Sequence, residues 1–243
     1  MTPHGLRPPR PHTGVTEHGH RIREVLTYSR RGSRFGPRMQ EAWDRYADRW
    51  WIADERVDEP GFDLAGCFDR EAPLVVEIGS GVGEATAALA AARPDLNVLA
   101  FEVWRPGVAD TLYRLGEAGA DNVRLLSVDA VWSMEHLLGE EQVAELWTFF
   151  PDPWPKTRHH RRRLVGPAFA HLAATRLVPG ATWRLATDWA EYATWMREVL
   201  DAEPRLTGGV VERWAERPVT KFERKGLAKD REITDLLYRR VAP

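Results

Sequence analysis

Cysteine is almost missing from this sequence. Cys67 is the only one among 243 residues, which excludes a disulfide framework, and no Cys and His spacing suggests a zinc site. The expected setting is therefore reducing, intracellular and cytoplasmic, with no metal ion. Long apolar runs are missing too. No stretch of about 18 such residues occurs, and the N-terminal residues carry Pro, His and Arg without the apolar core of a signal peptide. Neither a membrane span nor secretion is expected. Net charge is small, −2 in total, which if spread evenly would argue against a nucleic-acid partner.

It is not spread evenly. Residues 1–40 hold eight Arg and two Glu, a local +6 that leaves −8 for the rest. A second basic run at 156–163 places five cations in eight positions. Basic patches against an acidic body make a directional surface for a polyanion. With 43% hydrophobic and 29% charged residues the chain has the material for one sizeable core. Residues 1–26, rich in Pro, His, Gly and Arg, read as a disordered basic tail. Residues 27–60 read as a basic segment and docking helix. In it Tyr28 and Phe35 lie among cations, as suits RNA contact by charge and stacking, and Met39, Trp43, Tyr46 and Trp50 recur at helical spacing. Residues 61–243 form the main domain.

Within that domain Leu74–Ile78 reads as a buried strand, Gly79-Ser80-Gly81-Val82-Gly83 as a turn, and Ala85, Ala88, Leu89 and Ala92 as an apolar helix face. Residues 98–103, 123–128, 145–150 and 182–187 read as further strands alternating with helices, the helix after Val165 stopping at Pro179-Gly180. That alternation means a parallel, doubly wound α/β sheet. Residues 210–214 and 233–241 add an antiparallel pair joined by a long loop, making seven strands.

The glycines permit positive φ and close backbone approach to a ligand. Glu102 is placed to accept both ribose hydroxyls of an adenosine. A dinucleotide loop would read G-x-G-x-x-G, but its sixth position here is Glu84, and Glu77 lies two residues before the first glycine. Acids on both sides would repel a pyrophosphate and suit a cationic nucleoside. S-adenosylmethionine, with an amino group, a sulfonium and a ribose but no phosphate, fits, and Asp129-Ala130 could hold its adenine amino group. Pro151, Pro153 and Pro155 then end the fourth strand and fix Asp152 and Trp154 at its tip, where open α/β sheets bind ligands. A carboxylate beside an aromatic face suits a base: the acid accepts from an N–H edge and the ring stacks on the plane. Lys156, Arg158, Arg161, Arg162 and Arg163 would then meet phosphates, with His159 and His160 between them.

Together these segments resemble the bacterial tRNA (guanine-N7)-methyltransferase family. The matching pieces are VVEIGSGVGEAT (75–86), FEVWRPGV (101–108), Asp129-Ala130, FFPDPWPKTRHHRRRLV (149–165), ATDW (186–189) and RPVTKFERKG (217–226), in order. The resemblance implies a Rossmann-like class I methyltransferase fold, a mostly parallel, doubly wound seven-stranded sheet with an antiparallel C-terminal strand. It also implies methyl transfer from S-adenosylmethionine to N7 of the variable-loop guanosine of tRNA, by a monomer or homodimer with no obligatory protein partner. Cofactor contacts are implied for Glu77, Gly79, Gly81, Gly83, Glu102, Asp129, Ala130 and Asp152, with Asp152 as the catalytic acid. Lys156, Asp188, Thr220, Lys221, Phe222 and Glu223 would hold the substrate, and Arg158, His159, His160, Arg161, Arg162 and Arg163 would touch RNA. The sequence departs from the family at Phe101, where Ile is commoner, and in a longer basic N-terminal extension. The competing readings are a methyltransferase acting on exocyclic amines, one acting on small molecules, and an RNA-binding module with a vestigial cofactor site.

Overall fold

Short apolar runs separated by helix-length segments decide the architecture. The computed structural model describes Thr27, Tyr28 and residues 34–241. The expected tail at 1–26 lies outside the described residues, as does 29–33 of the basic segment. Strands β2 (Leu74–Ile78), β3 (Asn97–Phe101), β4 (Val123–Leu126) and β5 (Val143–Phe149) are each followed by a helix: α2 (Glu84–Ala92), α3 (Arg105–Ala118), α4 (Ala130–His136) and α5 (Pro167–Arg176). Strands buried on both faces require a helix layer on each side of a parallel sheet. β6 (Leu177–Thr187), α6 (Ala190–Asp201), β7 (Leu206–Val211), α7 (Lys221–Leu227) and β8 (Thr234–Arg240) complete the sheet on one side. On the other, α1 (Pro37–Trp50) runs straight into β1 (Trp51–Ile52). The strand order is β1-β4-β3-β2-β5-β6-β8-β7, and β8 runs antiparallel to both of its neighbours.

The period of two along each strand sorts side chains into two cores. Val75, Val98, Ala100, Val123, Leu125 and Trp147 face Leu89, Leu112, Leu115 and Trp50 on one side of the sheet. Val76, Ile78, Leu99, Phe101, Leu146 and Trp183 face Phe169, Ala173, Tyr192 and Met196 on the other. The chain leaves β2 for β3 and β4 on one side and returns to β5 on the other. The carboxyl ends of β2 and β5 thus flank the switch point, where such sheets open a crevice.

Four details differ from the sequence reading. The sheet has eight strands rather than seven, because the two-residue β1 pairs with Leu125 and Leu126 and is too short to show alternation. The helix after Val165 ends at Arg176, and the Pro179-Gly180 step lies inside β6, in an exposed irregular stretch where the register with β5 slips between Val143 and Glu145. β7 begins at Leu206, where Gly208 and Gly209 hid the strand. The loop expected between the last two strands contains α7, whose start is capped by Thr220: its hydroxyl accepts from the Glu223 amide at 3.3 Å.

Candidate active site

The residues after β2, β3, β4 and β5 meet around one cavity of about 360 Å³. Glu77, Gly79 and Gly81 come from β2 and its turn, Glu102 from just beyond β3, Asp129 and Ala130 from the start of α4, and Asp152 from the loop after β5; all of them line the cavity. Thr220, Lys221 and Phe222 close one side and Thr27 and Tyr28 lie along another. Lys156, Asp188 and Glu223 are not among its walls, and neither is Gly83.

Backbone bonds set the acids in place. Glu102 accepts from the Gly81 amide at 2.8 Å and the Trp104 amide at 2.7 Å, so the turn and the segment after β3 are tied through one carboxylate. Asp129 caps α4 by accepting from the Trp132 amide at 2.9 Å. Gly83 shapes the turn. Its φ is +75°, and a Cβ there would lie 2.5 Å from the Thr111 hydroxyl. Gly107, which the sequence reading passed over, lets α3 meet the same turn: a Cβ on it would sit 2.3 Å from the Gly81 carbonyl oxygen.

Glu77 is 2% exposed, and the Thr86 hydroxyl donates to it at 2.6 Å. Burial, together with the nearby Glu102 and against the Thr86 bond, pushes its carboxyl up to about 7. Glu84, expected to serve a cationic ligand from the other side of the turn, is instead engaged by the Lys221 amide and by Arg224 at 2.9 Å.

The loop after β5 is held in an uncommon backbone state, with φ of +53° at Phe150 and +45° at Trp154. Trp154 was expected to stack on a base. Its face is covered by the Arg162 guanidinium at 3.5 Å, and its indole N–H donates to the Thr27 carbonyl at 3.1 Å. Arg163 is a further correction. It is 6% exposed, donates twice to Glu191 at 3.0 and 2.7 Å and once to the Pro153 carbonyl at 2.9 Å, and so braces the loop from within instead of facing RNA. Lys156, Arg158 and Arg161 are exposed, and Arg162 donates to the Tyr28 carbonyl at 2.7 Å. His160 lies beside Glu191, with 3.9 Å between its Nε2 and the carboxylate. His159 is held below its usual value by desolvation and by the cations Arg158, Arg162, Lys156 and Arg161.

Two expected substrate groups are occupied within the protein. Asp188 accepts from Arg231 at 2.6 Å. Glu223, 2% exposed, takes Arg213 and Arg217 at 2.7 Å each, and Arg217 reaches on to Asp235 at 2.9 Å. Phe35, expected to stack on RNA, packs on Trp43 with ring centres 5.4 Å apart, and Arg38 pairs with Asp110. Nothing in the spacing of Arg217 announced its role as a buried hub. Among the described residues no cluster of three His, Cys, Asp or Glu side chains could hold a metal ion, and no helix is long and apolar enough to cross a membrane.

A doubly wound sheet with a glycine turn after its central strand and acids at four successive strand ends is the class I methyltransferase architecture. Solved structures agree on the fold: a 16S rRNA methyltransferase, KamB, is similar at a TM-score of 0.53 and 17% identity, covering 72% of this chain and 90% of that one. An antibiotic-related methyltransferase is similar at 0.51 and 15% identity, covering 79% and 95%. Residues 71–236 match the family described as "Putative methyltransferase" (Methyltransf_4). The chain is 72% identical over 98% of its length to the tRNA (guanine-N(7)-)-methyltransferase of Nocardioides sp., of which it covers 96%. It is 47% identical over 94% of its length to that of Cutibacterium acnes, covering 88%. The chain belongs to the tRNA (guanine-N(7)-)-methyltransferase family.

Proposed function

We infer that the protein methylates N7 of a guanosine in tRNA, with S-adenosylmethionine as donor, and that the guanosine lies in the variable loop and the reaction runs in the cytoplasm. The observation that carries this reading is the meeting of the Glu77, Glu102 and Asp129 carboxyls with Asp152 around one cavity. The residues fit the donor. Its ammonium suits Glu77, a buried acid whose hydrogen-bond donor there is a neutral hydroxyl; its ribose suits Glu102, which backbone amides hold in orientation. Asp129 and the Ala130 amide stand where an adenine edge can be read. When bound, this donor supplies an electrophilic methyl carbon.

The protein's own work is positioning. N7 of guanine carries an in-plane lone pair and no proton, so the reaction needs no general base. Alignment of the reacting atoms can supply about 7–11 kcal/mol of barrier reduction. The base gains positive charge on methylation, and the Asp152 carboxylate, fixed by flanking prolines and by Arg163 on Pro153, favours that charge. Asp152 can also accept from guanine N1–H and the exocyclic amine, a pair adenine lacks. Outside the cavity, Lys156, Arg158, Arg161 and Arg162 offer cations for phosphates. Unmodified tRNA incubated with labelled donor, then cleaved with borohydride and aniline, should break at one methylated guanosine. Label without such cleavage would contradict the N7 assignment.

A further inference from the structure

The helix α7 has little apolar packing of its own: within it Glu223 and Gly226 are the buried residues, while Phe222 and Leu227 are exposed. Charge holds it instead. On the inner side Glu223 takes Arg213 and Arg217. On the outer side both oxygens of Glu84 are committed, Oε2 to the Lys221 amide and Oε1 to Arg224 Nη2 at 2.9 Å, with Arg114 Nη2 3.8 Å away. Glu84 is the first residue of α2, directly after the glycine turn, so these bonds fasten α7 to the turn itself. They bring Phe222 so near that a Cβ on Gly81 would lie 3.5 Å from its ring.

We propose that Glu84 is a positioning residue, whose carboxylate latches α7 over the glycine turn and so fixes the Thr220 to Phe222 wall of the cavity. The role rests on the functional reading above only in that the cavity is taken as the site of methyl transfer. Partial burial alone would raise the Glu84 carboxyl, but the Lys221 amide and Arg224 outweigh it and hold it below its usual value, so the latch is charged at neutral pH. A wall built on a polar-docked helix matters because methyl transfer depends on geometry, and small displacements of a positioning group cost rate. The bland alternative is an acid that merely favours the first turn of α2; it gives Arg224 no part.

Two single variants and their combination separate these roles. Glu84→Gln keeps an acceptor for the Lys221 amide but loses the charge, and Arg224→Gln removes the same pair from the other side. Each should speed amide hydrogen exchange across Lys221–Leu227 by about 5- to 20-fold, the loss of one charge-assisted bond, while β2 and β5 exchange as before. Each should lower kcat for tRNA methylation by a similar factor, and the double variant should be no worse than either alone. Unchanged exchange over Lys221–Leu227 in both variants would overturn the latch. So would an effect of Glu84→Gln with Arg224→Gln silent. Calorimetry of the wild type with S-adenosylhomocysteine judges the functional reading separately: no binding would sink that reading, while the exchange comparison would still decide the latch.

Discussion

A single buried carboxyl, bonded by one hydroxyl and with a second acid nearby, shows how strongly a residue's surroundings can govern its chemistry. Glu77 titrates near 4.5 when unfolded and near 7 in the folded protein, so the folded state holds the extra proton between those values. Stability is full below the lower value and falls as pH rises through the window, by roughly 3 kcal/mol in all. Glu77→Gln removes that cost, and in urea at about pH 8 it should be more stable than the wild type by that order, while S-adenosylhomocysteine binding weakens by about tenfold or more. For the wild type, calorimetric affinity should tighten between about pH 6 and about pH 8, because the ligand ammonium pairs with the ionised carboxylate. A flat profile would contradict the pairing. Gly83 makes a second residue-level demand: with φ at +75° and Thr111 in the way of any Cβ, Gly83→Ala should lose about 2–4 kcal/mol in urea denaturation.

Among the elements, the β5 tip and α7 carry the site, and one buried side chain joins them. Arg217 lies within 5.5 Å of the Phe149 ring centre and 5.3 Å of that of Phe150, and pairs with Glu223 of α7 and Asp235 of β8. Arg217→Met leaves the buried Asp235 without its ion-pair partner and Glu223 with Arg213 alone, and thermal or chemical denaturation should show a loss of about 3–5 kcal/mol. How legible this was in the sequence follows from the forces involved. The strands β2 to β5 and the acids at their ends could be read because apolar runs, glycines and prolines act locally: Leu74–Ile78 was located to the residue. The acids Glu84, Asp188 and Glu223 could be placed near the site, but not their internal partners Arg224, Arg231 and Arg217, which come from a segment whose fold only tertiary contacts decide. Trp154 misled for the same reason, its face being taken by Arg162. The helix α7 escaped because a seven-residue helix with Gly226 inside it has neither length nor a clean apolar stripe.

For the whole molecule, charge distribution should govern how tRNA is met. Arg158 and Arg161 face outward on the 3₁₀ turn (Thr157–Arg162), Arg162 is half-buried with its guanidinium on Trp154, and Arg163 is turned inward. Binding of tRNA measured over a salt series should lose about 0.7–0.9 of log–log slope for each phosphate contact removed when the outward arginines become Ala. Arg163→Ala should leave that slope alone and lower thermal stability instead. Equal slopes in all variants would move the RNA surface elsewhere.

The end of β5 delivers Asp152 to the cavity lined by the acids at or just after the carboxyl ends of β2, β3 and β4, and we propose that methyl transfer takes place there. The most direct measurement is single-turnover methylation of unmodified tRNA by Asp152→Asn, paired with its affinity for S-adenosylhomocysteine. The rate should fall by about 10²- to 10³-fold while that affinity changes by less than about tenfold. A wild-type rate in the variant would remove Asp152 from the reaction.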